Sequence, residues 1–518
     1  MANNYVSLKL SYDNAYRFVE DFSSVDHSSL KYVFIGNSNQ YANSDNTIPD
    51  ISDTPKDERS VWNTMFAAKR TTGNDVEMVI PKVAWAPNKA YKQYDDTQTL
   101  DFLISSNGNS SPMYVYTDEG NVYKCLSNNS SANSTVKPTG DYTTSNGFIS
   151  TGDGGADNTY IWKFMYNVKN TNKFLTDDLI PVPSSVYAQE YGTSEDNLVL
   201  GALASIIVVD KGSGYIDSNI GVTAYTTGTN ILTIANTTYA ANNMLVQGTG
   251  IIPGTHIISI DSINRKITLS APATSNGNGE ISLVTRVYID GDGNGDTQLK
   301  AILGNTQVEK VVINSVGTGY KTANVFIYGT GSGANARAIL SPEYGHGFNP
   351  ARELASRSVI ISQKFGEIDS TENGLISTDT SFRQYGLISR PHKYGENTAI
   401  KLANANNVVS QTYDLTLLPG TDYQLNEFVF QGAQISSPTF SGIVHAQNSA
   451  ENTVRLINVK GQITIGGLLK TNTVQRAVTS IDYPYFQPYS GDVLVVQNSP
   501  KIERFEGQSE NVKLVINF

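Results

Sequence analysis

Most of this chain reads as short β runs of four to eight residues, each ended by Gly, Asn, Asp or Ser, and nothing in it sustains a long helical array. Strands of that length joined by turns predict a mainly β protein, with antiparallel sheets and small barrels and a few short helices in the N-terminal part. At 518 residues the chain exceeds what one hydrophobic core holds, roughly 250–300 residues, so it is multidomain. Its charged fraction, 16%, lies well below the roughly 25% of ordinary soluble domains. Asn, Ser, Thr, Tyr and Gly fill the gap, which again suits turn-rich β structure.

Two helices are expected near the start. Thr54-Pro55-Lys56-Asp57 supplies an N-cap hydroxyl, a proline at the first helical position and an acid three residues after the cap. The pattern predicts a helix from there to about Arg70, with Val61, Met65 and Ala68, flanked by Trp62 and Phe66, forming an apolar stripe for packing on a sheet. Asn14 to Phe22 is the second candidate.

An internal repeat occupies about Gly201 to Leu340. Ile206 to Tyr215 lines up with Lys310 to Tyr320, each a strand followed by a Gly-x-Gly-Tyr turn (Gly212-Ser213-Gly214-Tyr215 and Gly317-Thr318-Gly319-Tyr320). The copies close on Ile289 to Gly295 and Ile327 to Gly333, then on Ala301-Ile302-Leu303 and Ala338-Ile339-Leu340. In the first copy roughly 60 residues intervene between the strand that follows the Gly-Tyr turn and the closing turn, far more than a loop holds. A module of about Thr226 to Val284 is therefore inserted there, with strands expected at Ile231–Ile234, Met244–Val246, Ile257–Ile260 and Ile267–Leu269. A second strand-dense block, Thr412 to Thr471, reads as a small barrel. The Asn- and Ser-rich stretches Ser105 to Ser111 and Ser127 to Ser134 read as exposed loops.

The composition argues against several functions. A net charge of -11, from 37 Lys+Arg and 48 Asp+Glu, lacks the basic excess that draws proteins to phosphate backbones or anionic lipid, so no nucleic-acid partner is expected. A single cysteine, Cys125, makes neither an internal disulfide nor a Cys-based zinc site, and is expected to be buried. Met1 to Asp13 lacks the apolar core and basic flank of a signal peptide, and no stretch approaches the roughly 18 apolar residues of a membrane span. Neither export nor a membrane partner is expected.

Chemistry-bearing motifs are sparse. His27, His256, His346, His392 and His445 stand singly, without the paired spacing of zinc hydrolases. The Gly-Ser-Gly turns at Ser213 and Ser332 lack the spacing of a nucleophile elbow, and no nucleotide-binding glycine motif occurs. Asp290-Gly291-Asp292-Gly293-Asn294-Gly295-Asp296 places oxygens at the first, third and fifth positions of a calcium loop and glycine at the sixth. Its twelfth position is Ala301 instead of the bidentate glutamate, and the other copy carries Tyr328, Thr330 and Ser332, so the stretch reads as a glycine-rich strand connection. No catalytic, cofactor-binding or metal residue is assigned, and no cofactor is expected. The 29 tyrosines suit strand faces and subunit interfaces, where the ring supplies contact area and the hydroxyl a hydrogen bond.

Three stretches carry a family resemblance. The first runs through Tyr32-Val33-Phe34-Ile35-Gly36, the Trp62 helix, Val79-Ile80-Pro81-Lys82 with Trp85, Tyr114-Val115-Tyr116, Val122-Tyr123-Lys124-Cys125-Leu126, Tyr160 to Tyr166, and Ile180-Pro181-Val182-Pro183. The second is Phe382 to Pro391. The third holds Ser490-Gly491-Asp492-Val493-Leu494, Pro500-Lys501-Ile502, Gln508 to Asn511, and a closing strand with Val512, Leu514, Ile516 and Phe518 on one face. In this order they resemble the baseplate wedge protein that is the eighth gene product of T-even-like contractile-tailed phages, enlarged here by inserted β modules. The match covers roughly half the chain. The repeat block, its nested module and the barrel-like block are additions, and a longer connection, Gly152 to Thr159, replaces the family's glycine before the Tyr-x-Trp strand.

The resemblance implies a domain plan: residues 1–195 as the N-terminal part of a wedge body, 196–345 as the inserted repeat region with its nested module, 346–391 as a return to the body, 392–478 as the barrel-like insert, and 479–518 as strands completing the body. It implies a structural subunit, not an enzyme, assembled in the host cytoplasm and resident in the virion at the tail baseplate. Such a subunit works as a homodimer beside other baseplate wedge proteins, with fibre-attachment proteins as further candidate partners, and relays baseplate rearrangement to sheath contraction. Two alternatives stand beside it: a host-receptor-binding or fibre-attachment protein, from the inserted modules, and a tail-associated hydrolase, from the tyrosine and acid content.

Overall fold

The computed structural model describes residues 7–23, 30–42, 44–106, 110–144, 147–152, 159–169, 171–183, 201–342, 345–365, 376, 380–395, 408–505 and 508–518. His27, most of the connection Gly152 to Thr159 and the expected boundary near residue 195 lie outside them. Strands hold 48% of the chain and helices 9%, so the protein is mainly β and multidomain as expected. The α-helices are Leu8–Ser23, Pro55–Thr64, Leu100–Ile104 and Pro350–Glu353, the last of them well beyond the N-terminal part. Two compact units form, one from Met1–Val79 with Arg357–Phe518, the other from Ile80–Ser356.

The first unit centres on a five-stranded antiparallel sheet in the order Val408–Ser410, Met65–Thr71, Lys31–Gly36, Ser381–Ser389, Asp492–Glu503. Lys31–Gly36 is buried throughout, which is why its apolar run is continuous rather than alternating. Tyr32, Phe34, Met65 and Ala68 pack with Val61 and Trp62 of the helix and with Ile388 and Phe486. Gly386 has no room for a side chain, since a Cβ there would lie 2.0 Å from the Val495 carbonyl oxygen and 2.7 Å from the Phe34 ring. A second sheet sets Ser358–Phe365 between Val76–Pro81 and the C-terminal Glu510–Asn517, with Val512 and Leu514 buried. The Phe518 ring then meets Phe18 of the first helix, centroids 5.2 Å apart.

Thr54 caps its helix as expected, its hydroxyl accepting from the Asp57 N–H with Pro55 at the start. The helix stops at Thr64, however, and Met65–Thr71 is a strand. Its backbone is claimed on both sides, by Lys31–Gly36 and by Val408–Ser410, so tertiary pairing overrides the helical spacing. Met65 and Ala68 reach the predicted apolar cluster, but from a strand. The other predicted helix is longer than its apolar pattern, Leu8–Ser23 rather than Asn14 to Phe22.

Between Ser381–Ser389 and Asp492–Glu503 the chain builds a closed six-stranded barrel, ordered Tyr413–Leu417, Thr453–Gly461, Phe440–Asn448, Phe428–Gln431, Leu468–Lys470, Gln475–Asp482. Alternate residues Leu415, Leu417, Val429, Val444, Val454, Leu456, Leu469 and Val478 fill it. Gln475–Asp482 closes the barrel against Tyr413–Leu417, carrying it past the Thr471 limit read from strand density.

In the second unit, Tyr114–Tyr116, Asn121–Ser127, Thr159–Asn167 and Phe148–Gly152 form an antiparallel sheet over Tyr91, Tyr123, Cys125, Tyr160, Trp162 and Phe164. Cys125 is fully buried, and burial pushes its thiol pKa well up.

The repeat copies interleave. The first strand of copy one, Leu203–Ser213, pairs with the third of copy two, Ser332–Leu340, while the first of copy two, Gln307–Ser315, pairs with the third of copy one, Gln298–Gly304. The middle strands, Arg286–Gly291 and Ala323–Tyr328, pair antiparallel with each other. These are the pairings of a local twofold. Equivalent contacts bear it out: the Tyr215 N–H donates to the Thr306 carbonyl at 3.0 Å and the Tyr320 N–H to that of Gly201 at 2.9 Å. Each tyrosine ring lies on the other copy's glycines, so a Cβ on Gly331 would fall 2.5 Å from Tyr215 and one on Gly293 2.5 Å from Tyr320.

The nested module has all four predicted strands, at Ile231–Thr233, Leu245–Gln247, Ile257–Asp261 and Lys266–Leu269. It begins earlier than Thr226, because Ser218–Tyr225 pairs with Gly277–Val284 inside the module rather than joining the repeat. Its core is its own, built from Ile220, Leu232, Met244, Ile267, Leu283 and their neighbours.

Candidate functional site

The acidic glycine-rich loop spends its oxygens on backbone. Asp292 Oδ1 accepts the N–H groups of Lys321 and Thr322 at 2.8 and 2.9 Å, and Asn294 Oδ1 accepts those of Thr318 and Asp296 at 3.1 and 3.2 Å. The N–H donors of Thr322 and Lys321 hold the Asp292 carboxyl below the usual range. The loop thus clamps the second copy's Gly-x-Gly-Tyr turn. Among the described residues no group of three or more His, Cys, Asp or Glu side chains is arranged to hold a metal ion.

The densest chemistry lies elsewhere, in residues that reading along the chain did not bring together. Lys124, on the strand Asn121–Ser127, is fully buried. Its ammonium donates to Glu353 Oε2 at 2.9 Å and to His346 Nδ1 at 3.1 Å, and lies 4.0 Å from the centroid of the Tyr94 ring. Glu353 belongs to the short helix Pro350–Glu353, capped by Asn349 and opened by Pro350, and its Oε1 accepts the Gly347 N–H at 2.7 Å. Lys163, on the neighbouring strand Thr159–Asn167, rests over Phe148 at 4.4 Å and is also buried.

The electrostatics follow from that enclosure. Burial lowers the pKa of the Lys124 ammonium while Glu353 opposes the shift; burial takes Lys163 to about 8 against the same opposition. Burial works against ionising Glu353, but Lys124 outweighs it and the carboxyl falls to about 2. Burial, reinforced by Lys124, depresses His346 to about 4. At neutral pH the arrangement is an ammonium–carboxylate pair beside a neutral imidazole. These residues are acid–base groups by type, yet Lys124, His346 and Glu353 are sealed from solvent. The arrangement fastens residues 345–356 to the sheet. A second polar tie lies nearby: Arg337 bonds Asp95 at 2.8 Å and Asp96 at 3.1 Å, and the Leu340 N–H donates to Asp96 at 3.0 Å.

The surface also carries aromatic groups. Tyr288 and Phe326 face each other across the middle strands of the repeat, 41% and 42% exposed, with the Arg286 guanidinium 4.8 Å from the Tyr288 centroid. No protein-family model matches the chain, and comparison with curated proteins returned no match.

Proposed function

We propose that this chain is a structural, non-enzymatic subunit of a contractile phage tail, acting in the baseplate wedge as a homodimer beside other wedge proteins and relaying baseplate rearrangement to the sheath. The supporting observation is where the family-like stretches meet. Lys31–Gly36 from the first pairs with Ser381–Ser389 from the second, which pairs with Asp492–Glu503 from the third. The barrel departs from this framework and returns to it between two strands that remain hydrogen-bonded neighbours, as an insertion into an older body would. Exposed aromatic surface such as Tyr288 and Phe326 suits a subunit that holds its neighbours through contact area.

Light scattering on the purified chain tests the reading. A dimer near twice 56.2 kDa that co-assembles with its wedge neighbours is expected. A stable trimer that binds host cells unaided would overturn it and favour the receptor-binding alternative.

A further inference from the structure

We infer that His346 makes the junction between residues 345–356 and the Asn121–Ser127 sheet an acid-sensitive latch, closed while its imidazole is neutral and released when the ring takes up a proton. The geometry leaves no place for a charge there. Nδ1 already accepts from Lys124 at 3.1 Å, and Nε2 is buried without a hydrogen-bond partner among the described residues. The groups facing the ring are Lys124 from one strand, Lys163 from the next, Tyr94, and Glu353 from the short helix. Glu353 Oε2 stands 3.6 Å from Nδ1 but is committed to Lys124, and its other oxygen to the Gly347 N–H. Asp95 and Asp96, next in sequence to Tyr94, are held by Arg337. A protonated ring would therefore place three cations around one carboxylate, in a site closed to water. Lifting residues 345–356 relieves this by returning His346 and Glu353 to solvent while the sheet keeps its backbone pairing.

The sign follows from burial and Lys124 lowering the imidazole pKa from 6.5 to about 4. The closed junction resists the proton and the open one accepts it, so closure is favoured above pH 6.5 and weakens as pH falls toward 4. Glu353, at about 2 while the junction is closed, returns toward its ordinary 4.5 on opening and adds a smaller loss in the same direction, roughly fourfold by pH 4.

Hydrogen–deuterium exchange on the full chain from pH 6.5 to 4, corrected for intrinsic rates, tests the latch against the histidine-free strands 286–340. Residues 345–356 should lose roughly 100-fold protection relative to those strands, approaching the imidazole's limit of about 300-fold for this shift, and His346→Gln should cut the pH dependence to the roughly fourfold loss that Glu353 contributes. Unchanged relative protection in the wild type, or an equal loss in H346Q, overturns the proposal. If H346Q does not fold, the wild-type profile decides: a selective loss at 345–356 upholds the latch, and its absence overturns it.

Discussion

The nested module and the Lys124 junction are held together by opposite materials. In the module, Ile220 and Val222 of the first strand and Ile281 and Leu283 of the last meet Leu232, Met244 and Leu269. Such contact is non-directional and grows with apolar area, so it makes a self-sufficient body that tolerates relocation into a host loop. At the junction a single carboxylate is shared between an ammonium and a backbone N–H, with a second ammonium close by. That contact accepts one partner in one register and penalises any other, because every group in it is costly to leave alone. Apolar seams confer portability; charged seams confer a single fit.

The largest effect expected is at the junction. Lys124→Met should destabilise the second unit by about 3–5 kcal/mol in denaturant unfolding, since it strands the Glu353 charge, whereas Lys124→Met with Glu353→Leu should recover most of the loss. A double variant no better than the single would break the contrast. Leu232→Ala should cost about 2–5 kcal/mol through a cavity, confined to exchange within residues 218–284. Spread of that loss into the barrel would deny the module its independence.

His445 offers a sharper test, because it is a titratable group in a largely apolar seam. It is buried against Phe66, ring centroids 4.2 Å apart, and burial, with Arg455 nearby, takes its pKa from 6.5 to about 3. The folded form resists the proton, so stability present above pH 6.5 falls as the pH drops, by about 3 kcal/mol at pH 4. Barrel unfolding followed against pH should show this slope in the wild type and lose it in His445→Gln. Smallest is Gly331→Ala, which should cost about 1–3 kcal/mol by pressing on the Ser213 carbonyl oxygen and on the Tyr215 ring and backbone nitrogen; a neutral result would mean that the interleaved copies pack loosely.

Local chemistry was legible in the sequence, and long-range pairing was not. Thr54 and Pro55 announced their helix because a cap is a matter of adjacent residues. The module's four short strands were legible because apolar residues recur within each. The end of that helix was missed, because the strands that claim Met65–Thr71 come from residues 31–36 and 408–410. Ser218–Tyr225 was assigned to the repeat because it follows Tyr215, although its partner is Gly277–Val284. The junction left no trace: Lys124 is 222 residues from His346 and 229 from Glu353, and nothing in the Val122–Leu126 run that holds Lys124 points to either. The Asp290–Asp296 loop was visible, but not the Lys321 and Thr322 N–H groups that occupy Asp292.

Interleaving of the two repeat copies also sets a timetable for a chain emerging from the ribosome. Leu203–Ser213 has to wait for Ser332–Leu340, while every strand of the nested module finds its partner within residues 218–284. A nascent chain that has grown only to Gly304 therefore carries a finished module on an unfinished platform, and the early strand lacks its hydrogen-bonded partner strand until synthesis passes Leu340.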